Sequence, residues 1–192
     1  MSATLTAVPQ GHVAAVVTWL EMDAPPGPAP APQSPLRLIS LPAVDPDRYR
    51  ALFRRVGSRW LWFSRLAMSD AELLAKVAEV HVVLDQDGKD AGFIELDFRE
   101  PGLCTIRFLG LVPELAGRGH GNWLFAETLR LAWAPGVSQV RVHTCSLDHP
   151  AALPAYLRAG FVAKRRAFES FPDPRLAGLL PRDSAPQIPL VD

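Results

Sequence analysis

Three glycines at alternate positions, Gly117, Gly119 and Gly121, with Arg118 and His120 between them, have the spacing that most directly suggests chemistry. An apolar run, Phe108–Val112, leads into them and stops at Pro113, which cannot donate to a ladder. Beyond them Leu124, Phe125, Thr128, Leu129 and Ala132 repeat at helical spacing. A strand, a glycine-rich turn and a helix aim free backbone N–H groups and the positive end of a helix dipole at an anion. Glycine suits such a loop because a Cβ would block the approach of phosphate oxygens and because φ is often positive there. The same residues would also serve a plain tight turn. No Gly-Lys-Ser/Thr closes the loop as in a nucleotide P-loop, and G-x-G-x-G replaces the G-x-G-x-x-G of dinucleotide sites.

Other groups carry chemical potential with less specific spacing. Glu95 and Asp97 stand two apart in a strand-like segment and so share a face. They read as a pair able to take a proton through water, or as ordinary solvent-facing residues. Trp60, Trp62 and Phe63 lie beside Arg59 and Arg65. That connector suits an apolar or aromatic ligand, or one carrying a carboxylate, or it is a hydrophobic lid over the core with two solvated arginines. His143, Cys145 and His149 are close in sequence, but their spacing matches no common zinc pattern, so no metal is expected. Cys145 reads as a buried thiol rather than a nucleophile.

The elements that must position these residues follow from local signals. A strand is predicted over 13–21, then an extended proline-rich connection over 24–35 and a short strand over 36–41. Asp45 caps a helix with Pro46 in its first turn and Tyr49, Leu52, Phe53 and Val56 on its apolar face. Ser69 and Glu72 form a capping box for a helix over 70–79. Strands are expected over 81–84 and 91–98, joined at Asp87-Gly88, and over 104–112. A helix over 119–133 and a strand over 138–144 come next. A helix from about 149 follows, capped by Asp148, with Pro150 in its first turn and Pro154 distorting it. The last strand covers 161–171, and the tail from Pro172 is expected to lie irregularly over the surface.

With 192 residues the chain is long enough for one domain with a sizeable core, and a single domain over 1–192 is expected. Twenty basic residues balance twenty acidic ones, which argues against a nucleic-acid partner. Two cysteines make no disulfide framework, no apolar run reaches the length of a membrane span, and the N-terminus lacks a signal-peptide pattern. A cytoplasmic protein is the expectation.

The stretch Ala116-Gly117-Arg118-Gly119-His120-Gly121, after Val112-Pro113-Glu114, resembles the acyl-CoA-binding loop R/Q-x-x-G-x-G/A of the GNAT superfamily of N-acetyltransferases. Ala116 departs from the first position, where Arg118 can supply the charge. A second block, His149, Ala152, Tyr156, Gly160 and Phe161, keeps the offsets of the family pattern N-x-x-A-x-x-x-Y-x-x-x-G-F, with His149 in place of Asn. The resemblance covers about residues 70–170 and implies an α+β fold, a mixed, mostly antiparallel central sheet flanked by helices. It implies acetyl-CoA as co-substrate, held by Leu111, Val112, Gly117, Arg118, Gly119, His120, Gly121 and His149. It further implies Tyr156 as general acid and an acceptor pocket at Trp60, Trp62 and Arg65. Glu95 or Asp97 is the expected base, with Glu114 a weaker candidate. Thr105 and Arg107 occupy the strand where some relatives carry a glutamate. The implied activity is N-acetyl transfer by direct attack of a primary amine, on a small molecule or peptide. The alternative is an acyl-CoA-binding sensor or structural module, and the proline-rich segment and tail could mediate a homodimer.

Overall fold

The helix starts are settled within a few residues of themselves. In the computed structural model, which describes residues 3–27, 30 and 32–191, Asp45 Oδ1 accepts from Arg48 N at 2.9 Å and opens α1 (Pro46–Gly57). Ser69 and Glu72 complete a reciprocal capping box at α2 (Asp70–Lys76): Ser69 N donates to Glu72 Oε2 at 2.8 Å, and Glu72 N donates to Ser69 Oγ at 3.3 Å. The predicted end of this helix at 79 is too late. Val77 is already extended, and Glu79 joins the next strand.

Seven strands form one sheet: β1 (His12–Met22), β2 (Arg37–Leu41), β3 (Glu79–Leu84), β4 (Asp90–Asp97), β5 (Leu103–Leu111), β6 (Gln139–Cys145) and β7 (Val162–Pro172). Their order is β2-β3-β4-β5-β6-β1-β7, antiparallel throughout except for the β5/β6 pair. The first strand is therefore not beside the second. It lies between β6 and β7, and the proline-rich stretch connects the two sides of the sheet. Of the proline-rich expectation over 24–35, Pro28, Ala29 and Ala31 lie outside the described residues.

Phe53, Leu20, Phe93, Ile94, Leu96, Ile106 and Leu124 are sealed in the core. Phe53 of α1 packs on Phe93 and Phe108, which seats α1 against β4 and β5. The helix α3 (His120–Ala132) follows the glycine loop, and α4 (Ala152–Arg158) follows β6. Asp148 does not cap α4, as the sequence suggested. The helix begins later, at Ala152, and Pro154 occupies its third position without breaking it. A first-turn N–H has no carbonyl partner inside the helix, so proline costs nothing there.

The tail is irregular, as expected, but it is anchored. Asp173 and Arg175 pair at 2.7 Å with 3% and 2% side-chain exposure. The same guanidinium donates to the carbonyls of Ser184 and Ile188, gathering the tail against its own chain. Among the described residues no helix is long and apolar enough to cross a membrane.

Candidate active site

The parallel β5/β6 ladder runs only from Leu103↔Gln139 to Ile106↔Val142. At that point Arg107 is an extra residue against β4, since Leu96 faces Ile106 and Glu95 faces Phe108. A bulge bends its strand, and β5 and β6 diverge beyond it. Backbone groups of Phe108–Leu111 that face β6 are left without ladder partners. The gap widens into a cleft of about 1000 Å³ that reaches from the loop at Gly117 to Gln187 in the tail.

One end of the cleft is made of backbone. Gly117 and Gly119 take φ of +73° and +80°, and Gly119 is the N-cap of α3. An L-residue in that region costs about 1–2 kcal/mol. A Cβ at Gly117, Gly119 or Gly121 would meet nothing within 4 Å. Packing inside the protein therefore does not explain glycine at Gly121, whose φ is ordinary, whereas a ligand pressed against the helix N-terminus does. Leu111, Val112, Gly117, Gly119, Gly121 and His149 line the cleft. Arg118 is exposed, and His120 Nδ1 lies 3.1 Å from Ser34 Oγ; neither lines it. Val112 N already donates to Ala91 O, so its N–H is taken.

The other end is made of side chains. Leu61, in the left-handed region at φ 55° and 2% exposed, sits between Trp60 and Trp62, and both tryptophans line the cleft. A Cβ on Gly57 would fall 2.5 Å from Trp62 Cβ, so glycine lets this indole close on the end of α1. Trp62 Nε1 donates to Asp148 Oδ1 at 2.9 Å. Asp148 Oδ2 accepts from Thr144 Oγ1 at 2.8 Å and from Cys145 N at 2.9 Å. Asp148 thus ties the aromatic connector to the turn after β6. Sequence reading saw only a helix cap in it, because a cap is a local partner and an indole 86 positions away is not.

Tyr156 is buried between Phe125 and Phe161 and borders the cleft. Burial, with the charge of Asp148 adding to it, raises its phenol above the ordinary value. Burial and Asp148 likewise push the Cys145 thiol up to about 11, which keeps it protonated and a poor nucleophile. His149 Nδ1 accepts from Ala151 N at 3.0 Å, and its ring meets Trp60 at 5.1 Å.

Three expected site residues are placed elsewhere. Glu95 is fully buried and accepts from Tyr49 Oη at 2.5 Å and Arg65 Nη2 at 2.6 Å. Arg65 is spent on that pair and on the Phe108 ring, so it offers nothing to an acceptor. Asp97 pairs with Arg99 and Arg107 at the opposite end of β5 from the glycine loop. The Arg99 hydrogen bond, helped by Arg107 and opposed by burial, holds its carboxyl well below the usual range. Glu95 and Asp97 do follow each other along one strand, but neither they nor Arg65 line the cleft. Sequence spacing gave the alternation and could not show the arginines that complete it.

A cleft opened by a bulged strand, with a glycine-rich helix N-terminus at one end, has the shape and the backbone donors that a long, anionic ligand requires. The chain matches the Acetyltransferase (GNAT) family over residues 44–161, more than half its length, and it belongs to that family. It is 34% identical over 131 residues to a mycothiol acetyltransferase of Clavibacter michiganensis subsp. michiganensis, covering 66% of this chain and 42% of that protein. The chain thus spans less than half the length of that relative. The fold resembles a GCN5-related N-acetyltransferase from Sphaerobacter thermophilus, with a TM-score of 0.55 and 21% identity over 85% of this chain and 52% of that one. It also resembles AAC(6')-Iy in complex with the bisubstrate analogue CoA-S-monomethyl-acetylneamine. There the TM-score is 0.51 and the identity 18%, over 70% of this chain and 95% of that one.

Proposed function

We propose that this chain is an acetyl-CoA-dependent N-acetyltransferase that acts on a primary amine by direct attack. One observation carries the reading: a single cleft runs from the bare glycine N-terminus of α3, through the β5/β6 gap, past Tyr156, to an aromatic chamber. The empty space over the three glycines fits a pyrophosphate held by N–H groups. Unpaired backbone of β5 fits an amide-bearing arm, and an N–H near Leu111 is placed to receive a carbonyl oxygen as it gains charge. Acetyl-CoA supplies the acetyl thioester when bound. The chain's own residues hold it, exclude water and manage protons.

Tyr156 keeps its proton at neutral pH and is the acid for the departing sulfur. A phenol raised above about 10 gives its proton reluctantly to a thiolate near pKa 8.5, so its contribution is moderate. Asp148 positions Trp62 and the turn that leads to α4. An acyl-CoA sensor without turnover is the second reading, favoured by the commitment of Glu95 and Asp97 to arginines.

Calorimetric titration of wild type and Gly119→Glu with acetyl-CoA tests the cofactor assignment. Micromolar binding lost in the variant supports it, and no binding to wild type refutes it. Release of free thiol in the presence of amines then separates turnover from a pure binder.

A further inference from the structure

The aromatic end of the cleft has a floor built from β6, β1 and β7 rather than from the glycine loop. Residues paired across antiparallel strands share a face, and β6, β1 and β7 place His143, Trp19 and Arg165 in one row. Cys145, Val17 and Ala167 form the next, followed by Ala15 with Glu169 and Val13 with Phe171. His143, Glu169 and Phe171 line the cleft from this floor, opposite Trp60, Trp62 and Phe63. Phe63 and Phe171 close the chamber, with ring centroids 5.0 Å apart.

Two carboxylates line the cleft, and they differ in commitment. Asp148 has both oxygens engaged by Trp62, Thr144 and Cys145 N. Glu169 has no hydrogen bond or ion pair among the described residues, yet its charge reaches His143 and Cys145. Of the nearby cations, Arg107 is held by Asp97, Arg165 lies over Trp19 at 3.9 Å and Arg59 over Trp60 at 5.7 Å, while Arg158 lines the cleft from the end of α4.

Resting on the acetyl-transfer reading, we propose that Glu169 draws the ammonium of a singly charged primary amine with a flat apolar body into the cleft, and that His143, two rows along the same face, accepts its proton by way of water. The ammonium gives one N–H proton to a bridging water, which passes one of its own to a neutral imidazole nitrogen; the amine nitrogen keeps the electron pair. The imidazolium then returns the proton to solvent at the open mouth. Enclosure by the cleft walls lowers the His143 pKa from its ordinary value. Asp148 and Glu169 raise it and Arg107 lowers it, and the net result is a ring neutral at pH 7. The ring remains reachable by solvent. The surrounding aromatic side chains favour a flat apolar body over a polyamine.

Phenethylamine, tryptamine and spermidine are the probes. In the protein without cofactor, NMR titration of the His143 imidazole should give a pKa that falls further in Glu169→Gln, and phenethylamine should shift its resonance. With acetyl-CoA present, phenethylamine and tryptamine should outpace spermidine. Glu169→Gln should raise the phenethylamine KM about tenfold with kcat nearly unchanged. His143→Gln should lower kcat by about 10²-fold and abolish the acidic limb of the pH profile, leaving acetyl-CoA affinity intact. Both side chains are exposed enough for the variants to fold. The proposal is overturned if Glu169→Gln changes neither KM nor the imidazole titration, or if His143→Gln keeps the acidic limb. A wild type that binds acetyl-CoA but acetylates none of the probes overturns it too. Failure to bind acetyl-CoA refutes the cofactor reading instead, and the imidazole shift with phenethylamine still decides this one, its absence counting against it.

Discussion

The two ends of the cleft are built on different principles. At the glycine end, the segment 115–121 carries backbone groups whose orientation depends on glycine φ values and a helix start. At the aromatic end, side chains arrive from the connector 58–65, from β1 and β6, from β7 and from the tail. A site built from backbone groups tolerates change in the side chains around it. A side-chain site assembled from distant segments depends on each anchor. The family match covers the first end and stops at residue 161, before β7 and the tail that complete the second.

The largest test of that contrast is Arg175→Ala. It strips the partner from a buried carboxylate and frees the tail, and should cost about 3–5 kcal/mol. At roughly 2–4 °C per kcal/mol, the fall in Tm is easily read by calorimetry. Below that melting transition the acceptor KM should rise severalfold while acetyl-CoA affinity holds; equal damage at both ends would erase the distinction. Gly119→Glu is the mirror experiment. A carboxylate and a strained φ at the α3 N-cap should weaken acetyl-CoA binding by about 100-fold or more and leave the Glu169–His143 floor able to bind phenethylamine.

Tyr156→Phe probes the junction. It should reduce kcat by about 10–100-fold with both substrate affinities within about twofold, as steady-state kinetics would reveal. Asp97→Asn is the outgroup, placed at neither end. The Asp97 carboxyl is held below the ordinary range, so its contribution to stability is present above about pH 4 and lost as pH falls through the folded value. The variant should melt lower at pH 7, by about 1–2 kcal/mol, and converge on wild type in acid. Its kinetics should match wild type, and a change would mean that Asp97 acts on the cleft after all.

Much of this architecture was legible beforehand. Asp45, Ser69 with Glu72, and the glycine run before α3 act on partners within four residues, so a sequence displays both halves of each interaction. Tyr156 borders the cleft together with Ala152, one helical turn away on α4, a spacing that the sequence displays. Glu95, Asp97 and Arg65 were misjudged for the opposite reason. Alternation in a strand tells which residues share a face, and only packing tells whether an arginine is waiting there. The sequence offers His143 only a metal pattern that it does not fit and offers no pattern for Glu169, because the floor they share exists only when β1 inserts between β6 and β7.

The sequence by itself determined where α1, α2 and α3 begin and which glycines turn the chain before α3, since those choices are made by short-range sterics and hydrogen bonds. Only the tertiary structure decided the order of the sheet, the anchoring of the tail and which carboxylate is left free in the cleft. Those outcomes depend on long-range burial and ion pairing, whose partners lie far apart along the chain and are brought together by the fold alone.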